Sequence, residues 1–332
     1  MRRREFITLL GGAAAWPLAA QAQQPTKMKR IAIVRPSGNI SDLVASNKFY
    51  GPFFEELGRL GYVEGQNLVV ERYSAEGRTD HFGELARDVV STHPDVVYLT
   101  SAHLASAFKM NTATIPIVTI SMDPVAYGTV SSIARPGGNI TGVAIDAGIE
   151  IYGKQLGLLL EAIPKPSNAR FLASRDLWEG ASGRSIRAVA KQADISMAGA
   201  LLEGTIDEAQ IRRLFAFMEQ DRVDALVVSA QAEIRTHCQL LVDLAATSRI
   251  PAIYTFRECV VMGGLMAYAS DLPDAFRRAA NIIDQILKGA NPGDIPFYQP
   301  TKFELVINVK TAKALGLDMP ATLIGRADEV IE

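Results

Sequence analysis

The chain of 332 residues has little cysteine, no excess of one charge and no long apolar segment beyond its N-terminus. Its 34 lysines and arginines nearly balance its 36 aspartates and glutamates. No basic stripe with interleaved aromatic residues occurs, so nucleic acid is not an expected partner. Its two cysteines, Cys238 and Cys259, have no metal-site or redox spacing. An oxidising compartment would allow them to pair, and the sequence leaves this pairing open.

The motifs that usually mark catalytic or cofactor sites are also missing. No G-x-G-x-x-G opens a helix after the first predicted strand, no Walker A sequence occurs, and no serine has G-x-S-x-G spacing. The histidines lack the spacing of a metal site, and only one of them follows a strand end; they are His81, His93, His103 and His237. We therefore expect no enzyme, no cofactor and no metal.

The N-terminus has the three parts of a secretory signal peptide. A basic cluster at residues 1–4 precedes an apolar run at residues 6–20, and Ala20-Gln21-Ala22 is a small-x-small cleavage site. Residues 3–7 resemble the twin-arginine motif, although general export stays an alternative. No cysteine follows the run, and no later segment approaches the roughly 18 to 20 apolar residues of a membrane helix. We expect cleavage after about Ala22 and a periplasmic protein without a membrane anchor.

Short apolar runs alternate with amphipathic segments along the rest of the chain, which predicts parallel sheets with helices on both faces. The pattern occurs twice. The predicted strands of the first unit are 31–34, 68–73, 96–99 and 117–120, with helices at 45–60, 80–92 and 102–112, and 139–145 leads to the second unit. In the second unit the strands are 170–173, 197–202, 225–228 and 252–255, with helices at 183–193, 207–220 and 232–248. Both units have the doubly wound α/β pattern.

A third section completes neither unit alone, and it predicts a hinge of several crossovers. It comprises a strand at 265–269, a helix at 274–288 and a strand at 302–309. We interpret it as the chain returning to the first lobe and leaving again for the second. The predicted N-terminal lobe is 29–143 plus about 270–298. The predicted C-terminal lobe is 144–269 plus about 299–332.

Ligands of open parallel sheets bind beyond the carboxyl ends of the strands. In the first lobe these positions hold Ser37, Thr100, Ser101 and Asp123. Ser101 stands at a predicted helix start, where its hydroxyl and free backbone N–H groups could hold an anion. Asp123 precedes Pro124 as an N-cap would, so it either only caps a helix or also meets a ligand.

In the second lobe the corresponding positions hold Arg175, Trp178, Ser229 and Phe256. Trp178 is predicted in a polar loop, where it could stack on a ligand or cover the sheet edge. Arg175 could pair with an anionic ligand or with Asp176 or Glu179. Phe256 could contact the ligand or pack in the core.

Several segments of the chain resemble one family, the substrate-binding proteins of ABC importers that include tryptophan/tyrosine-type receptors. The matching segments are Ile115 to Val118, Asp123-Pro124, Ile133 to Gly142, Pro251 to Tyr254, Gly263 to Met266, Ile286 to Gly289, Gln299 to Asn308 and Lys313 to Leu317. The resemblance implies a type I periplasmic-binding-protein fold with a three-crossover hinge, a small ligand between the lobes and a membrane permease as partner. The sequence Ser174 to Trp178 departs from the family pattern.

These observations predict a monomeric periplasmic receptor that captures its ligand by hinge closure, with no covalent step. The expected ligand is an aromatic amino acid or another small aromatic or carboxylated compound. One alternative is a periplasmic sensor module for a membrane kinase, and another is an exported enzyme on the same scaffold.

Overall fold

The computed structural model describes residues 28–47, 49–146, 148 and 150–332. The predicted signal peptide at residues 1–22 and its cleavage site lie outside the described residues. Two β-sheets with surrounding helices form two lobes. This architecture agrees with the predicted pair of doubly wound α/β units.

The first sheet has five parallel strands in the order β2-β1-β3-β4-β5. The strands are β1 (Lys29–Arg35), β2 (Leu68–Ser74), β3 (Val96–Leu99), β4 (Ile117–Ser121) and β5 (Ile140–Ala144). Three helices connect the first four strands, namely α1 (Gly51–Arg59), α2 (Phe82–Ser91) and α3 (Ala102–Asn111). Every residue of β3, β4 and β5 is buried, as nearly continuous apolar runs predict for strands covered on both faces.

The second sheet has seven strands in the order β12-β11-β10-β9-β8-β6-β7. The strands are β6 (Asn168–Ser174), β7 (Ser196–Leu202), β8 (Ala225–Val228), β9 (Ala252–Tyr254), β10 (Met266–Ser270), β11 (Phe303–Asn308) and β12 (Glu329–Ile331). Neighbouring strands are parallel except β10 and β11, which are antiparallel. This antiparallel pair forms because the chain enters β11 from the opposite end of the sheet.

Ten further helices accompany this sheet and the crossovers between the lobes in the described chain. They are α4 (Ile151–Ala162), α5 (Arg175–Glu179), α6 (Ala181–Gln192), α7 (Glu208–Gln220), α8 (Ala232–Arg235), α9 (Cys238–Thr247), α10 (Arg257–Val261), α11 (Leu272–Leu287), α12 (Val309–Leu315) and α13 (Ala321–Ile324). Short 3-10 turns lie at Ile40–Asp42, Thr79–His81 and Pro292–Asp294.

The chain passes between the lobes three times. It leaves the first sheet after β5 and enters α4, it returns after β10 into α11, and it leaves again before β11. Helix α11 packs against α1 of the first lobe. On the last passage Tyr298 runs beside β5, where its N–H donates to the Gly142 carbonyl at 3.0 Å and its carbonyl accepts from Ala144 at 2.8 Å. These passages are the predicted crossovers.

A glycine turn feeds the strand that leads to the first crossover. Gly137 and Gly138 have φ values of 67° and 64°, a left-handed conformation that glycine adopts without a steric penalty. The Gly137 N–H also donates to the Gly293 carbonyl at 3.1 Å. The turn therefore joins β5 to the segment that returns from α11.

The first helix is shorter than predicted. The sequence predicts a helix over 45–60, but α1 begins at Gly51 with Pro52 in its first turn. Proline suits that position because it lacks the N–H that would otherwise be unpaired. Before it, the Asn47 side chain accepts hydrogen bonds from the N–H groups of Phe49 and Tyr50, at 2.9 and 3.2 Å. Such a local turn competes with a helix.

The predicted helix at 232–248 is wrong as a single element. It consists of α8 and α9, separated at Thr236 and His237. The Thr236 hydroxyl donates to the Glu233 carbonyl at 2.9 Å, and side-chain bonds of this kind disturb the helix ladder. The break turns the residues of α8 toward the space between the lobes.

Cys238 and Cys259 form a disulfide, with their Cα atoms 5.6 Å apart. The bond connects the first residue of α9 to α10. Both residues are buried. The pairing that the sequence left open is therefore present in the structure.

Candidate functional site

The carboxyl ends of strands from both sheets face each other across a cleft. Within it lies an inner cavity of about 30 Å³. Its lining residues are Thr100, Ser101, Ala102, His103, Ile120, Ser121, Met122, Ile145, Ala230, Gln231, Ala232, Glu233, Arg235, Phe256, Leu272 and Phe276. Since that volume holds little more than a water molecule, the lobes must separate to admit a ligand.

The first lobe supplies hydroxyl groups to the inner cavity. Thr100 and Ser101 directly follow β3, and Ser121 ends β4. The Ser101 side chain caps α3 by accepting from the N–H of Leu104 at 3.5 Å, as the predicted helix start required. The hydroxyls of Thr100 and Ser121 have no hydrogen-bond partner among the described residues, although both residues are buried.

The second lobe supplies two charged side chains, both from α8. Glu233 is 2% exposed. Arg235 lies with its guanidinium carbon 4.7 Å from the ring centre of Phe49 and 5.8 Å from that of Phe256. Phe256, which follows β9, is itself buried and lines the cavity. The inner cavity thus joins hydroxyls from one lobe to charges and an aromatic ring from the other.

Hydrogen bonds join the two lobes around this cavity. The Ser101 hydroxyl donates to Oε1 of Glu233 at 2.8 Å, and the hydroxyls of Ser37 and Thr236 share a hydrogen bond of 3.1 Å. At the outer edge the Thr79 hydroxyl donates to the Gly204 carbonyl at 3.1 Å. The structure therefore represents a closed conformation of the lobes.

His103 extends the contact between the lobes. Its Nδ1 lies 3.8 Å from Oε1 of Glu233 and its Nε2 lies 4.0 Å from Oδ2 of Asp176. Burial alone would lower the pKa of His103, but the two carboxylates outweigh burial and raise this pKa. Burial would likewise raise the pKa of Glu233, but His103 and the Ser101 hydroxyl outweigh it and lower the pKa. The pair therefore favours a protonated imidazole beside an ionised carboxylate.

A second, outer cavity of about 490 Å³ lies beside the inner one and shares His103, Gln231 and Glu233 with it. The predicted residue Arg175 lines this outer cavity. Its side chain is about half exposed and pairs with Glu203 and, at 3.2 Å, with Glu179. The structure thus places Arg175 among surface carboxylates, which was one of the two predicted alternatives.

The predicted residue Asp123 lines a hinge-side cavity of about 240 Å³. Its carboxylate accepts from the N–H groups of Val125 and Ala126 at 2.9 and 3.0 Å. It caps a turn and not the predicted helix, because Gly128 with φ 65° ends the segment. In the same cavity burial raises the pKa of Asp146 to about 7, and the charge of Asp123 adds to the rise.

The loop predicted around Trp178 is wrong, because this residue lies in α5. The helix forms there since the Ser174 hydroxyl accepts from the Leu177 N–H at 3.4 Å and caps it. The Trp178 ring lies against Gly199 of β7 and under the Arg187 guanidinium, 4.3 Å from the ring centre. The Trp178 ring therefore packs against residues of its own lobe.

The two remaining predicted residues contact other protein groups. Ser37 bonds to Thr236 across the cleft, as described above. Ser229 is fully buried, and its hydroxyl lies 3.2 Å from Oε1 of Gln231. Gln231 lines both the inner and the outer cavity, so Ser229 helps to orient a cleft residue. Of the eight predicted residues, the inner cavity includes Thr100, Ser101 and Phe256.

The sequence analysis missed Ser121, Glu233 and Arg235. Ser121 ends a predicted strand, so the rule that found Thr100 could also have found it. Glu233 and Arg235 were hidden inside the predicted helix at 232–248. An acidic residue a few positions after the predicted strand at 225–228 was a signal in the sequence. Its burial was not visible there.

No group of three or more histidine, cysteine, aspartate or glutamate side chains is arranged to hold a metal ion in the described part of the chain. No helix within the described ranges has the length and apolar character to cross a membrane.

Comparisons with known proteins identify relatives of this chain. A protein-family model described as ABC transporter substrate binding protein matches residues 42–331. A tyrosine-binding protein of Clostridioides difficile is 25% identical over 277 residues, which are 80% of this chain and 75% of the relative.

Solved structures resemble the fold over most of its length. A conserved domain protein from Vibrio cholerae is 22% identical with a TM-score of 0.79, and the match covers 92% of this chain and all of that one. An ABC domain in complex with L-Trp from Streptococcus pneumonia is 23% identical with a TM-score of 0.77, with the same coverage. These similarities confirm the predicted two-lobed fold with its crossovers.

Proposed function

The chain belongs to the family of ABC transporter substrate-binding proteins, and from this premise we propose that it delivers a small ligand to the membrane permease of an ABC importer. It is a solute-binding receptor, as the sequence motifs predicted. The observation that carries the proposed mechanism is the closed cleft, in which Ser101 of one lobe bonds to Glu233 of the other. Ligand capture would follow opening and closing of this hinge.

The proposed ligand is an aromatic amino acid or another small aromatic or carboxylated compound. The names of the tyrosine-binding relative and of the L-Trp complex support this class. The rings of Phe256 and Phe276 on the cavity wall also support it, because aromatic side chains bury large ligand surfaces.

The proposed ligand contacts are centred on the inner cavity. Thr100, Ser101 and Phe256 line it and would touch the ligand directly. Arg175 would act at the outer cavity. The other predicted residues, Ser37, Asp123, Trp178 and Ser229, would support the lobes and their closure through the contacts described above.

We further propose that the protein acts as a monomer in the periplasm after removal of residues 1–22. Family membership supports a location outside the cytoplasmic membrane. We propose lobe boundaries at 29–143 plus about 270–298, and 144–269 plus about 299–332. The positions of β5, β10 and β11, which flank the three crossovers, support these boundaries.

A thermal-shift panel tests the proposed function directly. A receptor gains unfolding free energy from any ligand that binds only the folded state, by about 2.7 kcal/mol at a concentration of 100 Kd. We therefore expect a melting temperature higher by several degrees with the right compound among amino acids, aromatic acids, sugars and nucleosides. Silence across the whole panel would count against the receptor.

A locked variant tests hinge closure. Ser37→Cys with Thr236→Cys would place two thiols where hydroxyls now lie 3.1 Å apart across the cleft. Cys238→Ser and Cys259→Ser in the same chain leave no other cysteine. We expect the oxidised variant to lose ligand binding and the reduced variant to regain it. Equal binding by both forms would show that the lobes need not separate, and the Cys238→Ser/Cys259→Ser protein is the matched control.

A further inference from the structure

The guanidinium of Arg235 lines the inner cavity without an anionic partner from the described part of the chain. No carboxylate of the described residues forms an ion pair with it, and its guanidinium lies over the rings of Phe49 and Phe256. Glu233 stands two residues before it, and side chains two apart on a helix do not face each other. Arg235 is only partly buried, and an anionic group of the ligand would give its guanidinium a charge-assisted partner that the described residues do not supply.

Two neutral donors line the same cavity. The buried hydroxyls of Thr100 and Ser121 have no hydrogen-bond partner among the described residues. Buried polar groups are nearly always paired, and a hydroxyl left alone destabilises the protein. A ligand oxygen that accepted from them would remove this penalty on binding. Arg235 and these hydroxyls together provide one charge and two donors for a carboxylate.

The described residues that line the inner cavity offer no free carboxylate for an ammonium group. Glu233 is the one acidic residue among its lining residues. Its carboxylate already accepts from the Ser101 hydroxyl and lies 3.8 Å from the His103 ring. Asp123 and Asp146 belong to the hinge-side cavity. A zwitterionic amino acid would therefore bury its ammonium without a free counter-charge, which is unfavourable.

We infer that the ligand is an apolar or aromatic monocarboxylate without an ammonium group. Its carboxylate lies at Arg235, Thr100 and Ser121, and its apolar body packs against the walls formed by Ile120, Met122, Ile145, Phe256, Leu272 and Phe276. This inference rests on the proposed receptor function and specifies its ligand. It separates this chain from relatives named for tyrosine and L-Trp.

Matched ligand pairs that differ by the ammonium group test the inference. Suitable pairs are phenylpropionate with phenylalanine, indolepropionate with tryptophan, and isocaproate with leucine. Isothermal titration calorimetry on the full mature protein should give at least one acid whose affinity exceeds that of its amino acid by about tenfold or more. Phenethylamine, which keeps the ammonium and lacks the carboxylate, should not bind.

An Arg235 variant provides the second arm. Arg235→Gln should weaken binding of the acid by about tenfold to a hundredfold, because a hydrogen bond to a charged group is lost. Arg235→Lys should lose less. Arg212→Gln is the matched control, since Arg212 is exposed on α7 and pairs with Glu208 at 3.6 Å. The control should keep wild-type affinity, and circular dichroism checks that each variant folds.

The possible results separate the inference from the receptor function. Tighter binding of the amino acids, binding of neutral sugars or nucleosides alone, or unchanged acid binding by Arg235→Gln would overturn the inference and leave the receptor intact. Failure of every compound in the wider panel would overturn both.

Discussion

The Ser101 hydroxyl of the first lobe donates a 2.8 Å hydrogen bond to the Glu233 carboxylate of the second lobe, and both side chains are buried. The bond forms where β3 meets α3 and where the short helix α8 follows β8. A hydrogen bond to a buried charge contributes more than one between neutral groups. Ser101 and Glu233 therefore act as a clamp between the lobes.

A double-mutant cycle should detect this clamp. We expect Ser101→Ala and Glu233→Gln each to lower the unfolding free energy, with a coupling between them of about 1 to 3 kcal/mol. The coupling arises because Ser101→Ala removes the hydroxyl donor of this bond and Glu233→Gln removes the negative charge of its acceptor. Urea unfolding of the two single variants and the double variant measures it.

The control cycle replaces Ser101→Ala by Asp207→Ala. Asp207 also caps a helix, α7, and accepts from the Gln210 N–H at 2.7 Å without contacting Glu233. Its effect should add to that of Glu233→Gln. Simple additivity in the Ser101 cycle as well would show that the clamp contributes nothing.

The His103 contact should make stability depend on pH. The folded-state pKa of His103 lies above its ordinary value of 6.5, so its pairing with Glu233 and Asp176 stabilises the fold fully below pH 6.5. This contribution is lost as pH rises through the raised pKa. We expect the unfolding free energy of the wild type to fall relative to that of His103→Gln across that interval, measured by urea unfolding.

His237→Gln is the matched control for that measurement. Nε2 of His237 lies 3.3 Å from the Ile206 carbonyl, and the ring forms no ion pair with the described residues. This variant replaces an imidazole that lies outside the contacts with Glu233 and Asp176, so it measures the effect of histidine replacement alone. A difference between wild type and His103→Gln that does not change over this interval would mean that the cleft does not raise the pKa of His103.

The sequence predicts the scaffold better than the cleft, and the reason is physical. Val96–Leu99 is apolar at every position, so a strand covered on both faces was evident, and the strand-end rule then located Thr100 and Ser101. Glu233 and Arg235 escaped because a segment with helical periodicity throughout is divided at Thr236 and His237, where the Thr236 hydroxyl bonds to the Glu233 carbonyl. Closure also depends on contacts between residues more than a hundred positions apart, which periodicity does not encode.

Asp146 should make stability depend on pH in the opposite direction to a paired surface carboxylate. Burial raises its pKa from 3.8 to about 7, so the folded state binds its proton more tightly than the unfolded state does. Stability then falls as pH rises from about 4 to about 7. Asp146→Asn keeps the size and an acceptor without the charge. We expect it to equal the wild type near pH 4 and to exceed it by up to about 4 kcal/mol at pH 8.

Thermal or urea unfolding at several pH values measures this difference. The exposed residue Asp318 offers the control Asp318→Asn, which makes the same substitution outside the hinge-side cavity. Parallel curves for Asp146→Asn and the wild type would show that Asp146 is ionised in the folded protein.

Thr100→Val should separate ligand binding from stability. The substitution keeps the side-chain shape and removes a hydroxyl that has no partner among the described residues. Removing an unpaired buried hydroxyl should leave the unfolding free energy unchanged or raise it by about 1 kcal/mol. If the hydroxyl donates to the ligand carboxylate, affinity should fall by about tenfold. Urea unfolding and calorimetry on one preparation measure the two effects.

Thr119→Val is the matched control, because Thr119 on β4 is also buried and its hydroxyl has no partner in the described ranges, but it does not line the inner cavity. Its unfolding free energy should also stay unchanged or rise by about 1 kcal/mol, and its ligand affinity should equal that of the wild type. Loss of stability without loss of affinity in Thr100→Val would assign its hydroxyl to the fold. Reduced affinity in a Thr100→Val protein of equal or higher stability is the result that we expect if the hydroxyl binds the ligand and not the fold.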